Sequence, residues 1–140
     1  MRLVLALLMC MVAGLAFADE APSAQDRADI QSAITQQLEA FKRNDAAAAF
    51  SQASPMIQQM FGTPEHFIAM VEHGYPPVFR PRGSRFGRIL PDEEGQLVQS
   101  VELVGPDGGH YIALYRMEKQ PDGSWKINGC ELTESAPLDT

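Results

Sequence analysis

Four aromatic residues with polar tips, Tyr75, Tyr111, Tyr115 and Trp125, are the side chains of this sequence best suited to line a ligand cavity. Each joins a large apolar surface to one hydrogen-bonding group, and Tyr111 or Tyr115 could also act as a proton donor. Aromatic residues on alternating strand positions serve equally well as plain core, and the nearby acids Glu102, Glu118 and Glu131 sit where they can face water. A second candidate is the arginine-rich stretch Arg80, Arg82, Arg85 and Arg88. Guanidinium groups match a carboxylate or phosphate bidentately, so this stretch could form an anion-binding face. The alternative is a solvated edge balanced by Asp92, Glu93 and Glu94.

Other residue types with chemical potential carry less. Glu65-His66 and Glu72-His73 repeat a pair two helical turns apart. At ~1.5 Å rise per residue the two histidines stand about 10 Å apart, too far to share an ion, so no metal is expected. The chain has no Gly-x-Ser-x-Gly, Cys-x-x-Cys, phosphate-binding glycine loop or His-Glu-x-x-His, and no cofactor is expected. His110 follows a glycine-rich turn and is expected at the surface. Of the two cysteines, Cys130 lies near a strand end among apolar residues, with no evident base to activate it. It reads as a buried small hydrophobe.

The elements that position these residues are legible from pattern and punctuation. Gln96–Val104, His110–Lys119 and Trp125–Thr133 read as three antiparallel strands, because each connection contains Pro-Asp-Gly and the runs are rich in Val, Ile, Leu, Tyr and Trp. Tyr111, Ala113, Tyr115 and Met117 share one face of the middle strand, and Ile112 and Leu114 the other. A bulge at Gly129 would bring Trp125, Ile127, Cys130 and Leu132 to one side. Trp125 is then expected under the first helix, near Ile34 and Phe41. Ser84–Leu90 reads as a further strand, turned into the meander by Pro91-Asp92-Glu93-Glu94-Gly95.

Before the sheet, apolar residues Ile30, Ala33, Ile34, Leu38 and Phe41 recur at helical spacing, predicting an amphipathic helix over 26–43, with Ser23 as its N-cap. Shorter helices are predicted over 46–52, after Asn44-Asp45; to Phe61, after Ser54-Pro55; and over 65–73, after Thr63-Pro64. Tyr75–Pro81 contains three prolines and is expected to be extended, as an edge strand or a rail beside one.

At the other end, Met1-Arg2, the apolar run Leu3–Leu15 and Ala16-Phe17-Ala18 describe a cleavable secretory signal peptide. The run falls short of the ~20 residues a membrane helix needs, so no stable span is expected after cleavage. Residues 1–18 are therefore expected to leave, and 19–140 to form one domain in the periplasm or the secreted fraction. Loss of Cys10 with the leader excludes an intramolecular disulfide. The formal charge of −7 becomes one more negative when Arg2 is removed. Nucleic acid is an unsuitable partner for so acidic a chain.

Helices followed by an antiparallel meander ending in Trp125-Lys126-Ile127-Asn128-Gly129-Cys130 resemble the α+β cone of the nuclear-transport-factor-two-like superfamily, with a related likeness to cystatins. More narrowly, Phe61-Gly62, Phe67-x-x-Met70-Val71, Gly74-Tyr75-x-Pro77-Val78 and the closing Trp-x-Ile-x-Gly-Cys resemble the uncharacterised bacterial family known as domain of unknown function 4864. The resemblance implies an α+β fold with N-terminal helices on a curved antiparallel sheet. It also implies a choice among ligand binding, acid–base catalysis of the isomerase or dehydratase type, and dimerisation through the sheet. With no catalytic motif present, the sequence leans toward a non-catalytic domain that binds a small apolar or anionic ligand, or an envelope protein. A homodimer through the sheet is the structural alternative.

Overall fold

The structure is a computed structural model that describes residues 22–136. Five helices precede four strands: α1 Ala24–Lys42, α2 Ala46–Ser51, α3 Pro55–Phe61, α4 Pro64–Gly74, α5 Pro76–Phe79, β1 Gly83–Pro91, β2 Leu97–Val104, β3 His110–Lys119 and β4 Trp125–Glu134. The fold is α+β, with the helices packed against an open antiparallel sheet in the order β1-β2-β3-β4. The expected helices are present within a residue or two of their predicted bounds.

Their starts follow from capping chemistry. The hydroxyls of Ser23, Ser54 and Thr63 accept from the amides of Asp26, Ile57 and His66, and the Asp45 carboxylate accepts from the Ala48 amide. Each satisfies a backbone donor that the first helical turn leaves free. α3 stops at Gly62, whose φ of 76° suits glycine alone among the common residues.

The segment Tyr75–Pro81 departs from expectation. Residues 76–79 form the short helix α5 rather than an extended rail. Pro76 and Pro77 occupy its first turn, where the missing N–H groups have no intrahelical acceptors to lose and the proline ring presets φ. The Val78 and Phe79 amides both donate to the Tyr75 carbonyl at 2.9 Å, and Pro77, Val78 and Phe79 are buried. Only Pro81, beyond the helix, acts as the predicted breaker.

β3 is central, paired with β2 and β4. The β3–β4 register shifts between Arg116 and Met117, so that Gly129 faces Arg116 and Ile127 faces Met117. Asn128 is the extra residue, one position before the predicted Gly129. It sets Cys130 opposite Tyr115 and Leu132 opposite Ala113, on the helix-facing side. Ile30, Ile34, Phe41, Leu103, Tyr115 and Met117 are the large, fully enclosed core side chains. Phe67 of α4 ties the helices together, with ring centroids 5.5 Å from Phe50, 5.6 Å from Phe61 and 6.1 Å from Phe41.

A second register shift lies in β1, between Phe86 and Ile89. Beneath it sits Gln99, fully buried, whose amide donates to the carbonyls of Gly87 (3.0 Å) and Ser100 (2.8 Å) and whose oxygen accepts from Gln31 (3.2 Å). A polar side chain is tolerated there because it satisfies the carbonyl that the bulge frees from the ladder.

Candidate functional site

A cleft of about 250 Å³ opens between the helical layer and the sheet. Its walls come from α1, α3, α4, α5, β3 and β4. Ile57, Met60 and Phe61 line the α3 side; Phe67, Met70 and Val71 line the α4 side. Tyr115 of β3 and Cys130 of β4 lie beside each other in the wall formed by the sheet, and Tyr75 closes the junction of α4 and α5. No Asp, Glu, Lys, Arg or His is among the lining residues, and the amide of Gln37 is already engaged with the Ala49 carbonyl at 3.1 Å.

The local sequence explains this arrangement. Tyr115 points inward because β3 alternates, and Cys130 joins it only because the Asn128–Gly129 bulge resets the phase of β4. α3 and α4 each begin on a capped proline and present apolar residues three and four apart to the same cleft.

Tyr115 is 1% exposed, and its hydroxyl has no hydrogen-bond partner among the described residues. The Cys130 sulfur is its polar neighbour; a weak O–H···S interaction between them contributes to both groups' pKa shifts, but the pair does not meet hydrogen-bond geometry. Burial pushes the Tyr115 hydroxyl well above its usual range, with the Cys130 sulfur adding to the shift. Burial likewise pushes the Cys130 thiol up to about 12, the neighbouring hydroxyl opposing this and Glu131 adding to it. Cys130 as a whole residue is only partly exposed. At neutral pH the cleft therefore holds two protonated groups, an O–H and a weak S–H donor, in apolar surroundings.

Of the aromatic candidates, Tyr75 and Tyr115 are brought together in this cleft; Tyr111 and Trp125 are not. Tyr111 donates its hydroxyl to Asp107 in the β2–β3 turn at 2.8 Å. Trp125 packs against α1 at its first turn, donating to Asp26 at 3.2 Å, instead of near Ile34 and Phe41. The Asp26 pair holds that carboxyl below its ordinary range, helped by the Ser23 hydroxyl and by Lys119.

The arginines are likewise divided among local tasks. Arg80 donates to the carbonyls of Phe41 and Phe79 and to the Asn44 side chain at 2.7 Å, closing the C-terminal end of α1, and lies over the Phe79 ring at 4.0 Å. Arg85 pairs with Glu102 across the β1–β2 ladder, its Nε at 2.8 Å from Oε2. The Gly109 amide and the Tyr111 hydroxyl hold the Asp107 carboxyl below its usual range, with a small contribution from Arg82, and Arg88 is exposed in the β1 bulge. A broader depression of about 430 Å³ at the end of the sheet includes Arg85, Glu102, His110 and Tyr111. Arg85 and Glu102 already satisfy each other there, and Tyr111 is engaged with Asp107. Among the described residues no cluster of three or more His, Cys, Asp or Glu could hold a metal.

Residues 23–140 match the family model described as domain of unknown function (DUF4864). The chain belongs to that family. The DUF4864 match spans every described helix and strand, so the cleft lies wholly inside the family's domain. No curated protein and no solved structure matches the chain significantly.

The residues that sequence reasoning did not assign to a site are Ile57, Met60, Phe61, Met70 and Cys130. One signal for them was present: Met56 and Met60 are i,i+4 neighbours on a helix with no buried residue, and both remain largely exposed. Flexible apolar side chains left at the surface of a small helix mark a wall rather than a core.

Proposed function

We propose that this DUF4864 domain is an exported, non-catalytic module that binds a small apolar ligand in the cleft between α3, α4 and the sheet. The supporting observation is the lining: aromatic, aliphatic and thioether side chains around a preformed space, with a few polar atoms and no charge. Sites of this kind take uncharged, mostly apolar molecules. The acid–base reading finds no base, since neither a carboxylate nor an imidazole lines the cleft and both Tyr115 and Cys130 are held protonated. The anionic-ligand reading finds no cation in the cleft, and two of the four arginines, Arg80 and Arg85, have backbone or acidic partners elsewhere. Export rests on the leader and on the family match starting only at residue 23.

The experiment is a fluorescence titration with N-phenyl-1-naphthylamine, a neutral apolar probe. Saturable binding at one site per chain is expected, and Met70→Trp, which fills the cleft from α4, should abolish it. Absence of saturable binding, or binding indifferent to the substitution, would overturn the reading.

A further inference from the structure

The enclosed Tyr115 hydroxyl is the one buried side-chain nitrogen or oxygen without a hydrogen-bond partner among the described residues. Gln37, Ser54 and Gln99, the other buried polar side chains, all have partners. An unpaired hydroxyl in apolar surroundings is costly, and a native protein carrying one calls for a physical account. Tyr115 lines the cleft, its polar companion there is the protonated Cys130 thiol, a weak partner at best, and the hydroxyl has no acceptor in hydrogen-bond geometry among the described residues.

We propose that the Tyr115 hydroxyl is the specificity-determining group of the cleft, selecting apolar ligands that carry one uncharged acceptor, such as a carbonyl oxygen, over hydrocarbons of the same shape. This rests on the reading of the cleft as a ligand site. The acceptor is uncharged because no cation lines the cleft, and a carboxylate taken there would lose its water with no compensating charge. It is an acceptor because the Tyr115 O–H has a proton to donate and no acceptor in hydrogen-bond geometry among the described residues. The hydroxyl is shut off from solvent in the free protein, so the ligand reaches it by displacing side chains. The wall best able to yield is α3, which contributes Ile57, Met60 and Phe61 to the lining yet buries none of its residues fully.

The test uses two probes of matched shape, acetophenone and α-methylstyrene, which differ by a carbonyl oxygen against a methylene. Each is titrated against the full domain carrying N-phenyl-1-naphthylamine, in wild type and in Tyr115→Phe. The ratio of the two affinities cancels the different hydration of the probes. That ratio should fall about 3–10-fold in Tyr115→Phe, the range expected for one neutral hydrogen bond, through weaker binding of the ketone alone. An unchanged ratio with both probes still bound would overturn the inference and leave the cleft reading standing. Failure of every probe to bind wild type would remove the cleft reading and this inference with it. The thermal midpoint of Tyr115→Phe supplies a second measurement. It should equal or exceed that of wild type, and a clear drop would show that the hydroxyl is satisfied in the free protein, which also overturns the inference.

Discussion

At the scale of single residues, Tyr115 and Arg80 make opposite predictions about polar groups. Removing the unpaired Tyr115 hydroxyl removes a desolvation cost, so Tyr115→Phe should leave stability unchanged or raise it by up to about 1 kcal/mol in chemical denaturation. Arg80 instead satisfies carbonyls at the end of α1, and Arg80→Ala should cost about 1–3 kcal/mol, whereas Arg85→Gln, which breaks an exposed pair, should change stability by about 0.5 kcal/mol or less. Equal losses in the two arginine variants would count against this division of roles. Cys130 adds a pH dependence. Its pKa is raised from 9.0 to about 12, so the native state holds the proton that the unfolded chain releases first. Unfolding then releases a proton between pH 9 and 12, and stability falls as pH rises through that window. Denaturant midpoints across the window should fall more steeply for wild type than for Cys130→Ala; parallel curves would show that the thiol is not enclosed.

At the scale of elements, the β2–β3 turn packs closely on itself and on α5. A Cβ on Gly105 would lie 2.8 Å from both an Asp107 carboxylate oxygen and the Tyr111 ring, and 3.3 Å from Pro77 of α5. One on Gly129, in the β4 bulge, would meet nothing within 4 Å. Gly105→Ala should therefore cost about 1–3 kcal/mol, and Gly129→Ala about 0.5 kcal/mol or less, a contrast that thermal unfolding of the two variants reads directly. The strands, their turns and the bulge beside Gly129 were legible because they rest on local signals: Pro-Asp-Gly turns and a break in alternation. The helix starts were legible for the same reason, through Ser23, Ser54-Pro55 and Thr63-Pro64. α5 was not, because counting prolines in Tyr75–Pro81 says nothing about where a helix begins. Once Pro76 and Pro77 fall in the first turn, the residues that argued against a helix favour one. The site was half legible for a related reason. Residue type picks out tyrosines and arginines, but the partner of each polar tip is set by tertiary contact. Asp107 takes Tyr111 and Asp26 takes Trp125, while Tyr115 is left without an acceptor.

At the scale of the whole molecule, every described element lies beyond the expected cleavage point: the first described cap is Ser23 and the first described helix starts at Ala24, so cleavage after Ala18 would remove no residue of a described element. If the leader is cleaved, the one cysteine left would suit an oxidising compartment: its thiol is held protonated, and thiolate is the form that enters disulfide exchange. Two consequences can be measured on one preparation from an exporting cell. The intact mass should correspond to a chain beginning at Asp19, and non-reducing electrophoresis should show a monomeric band rather than a disulfide-linked pair. Thiol titration should then give one slow-reacting group per chain in the native state and one fast-reacting group after denaturation. Retention of Met1–Ala18 in the exported protein would overturn the targeting reading. A covalent dimer, or fast native labelling, would place Cys130 at the surface and empty the cleft of one of its two donors, weakening the proposed ligand chemistry along with the account of the fold.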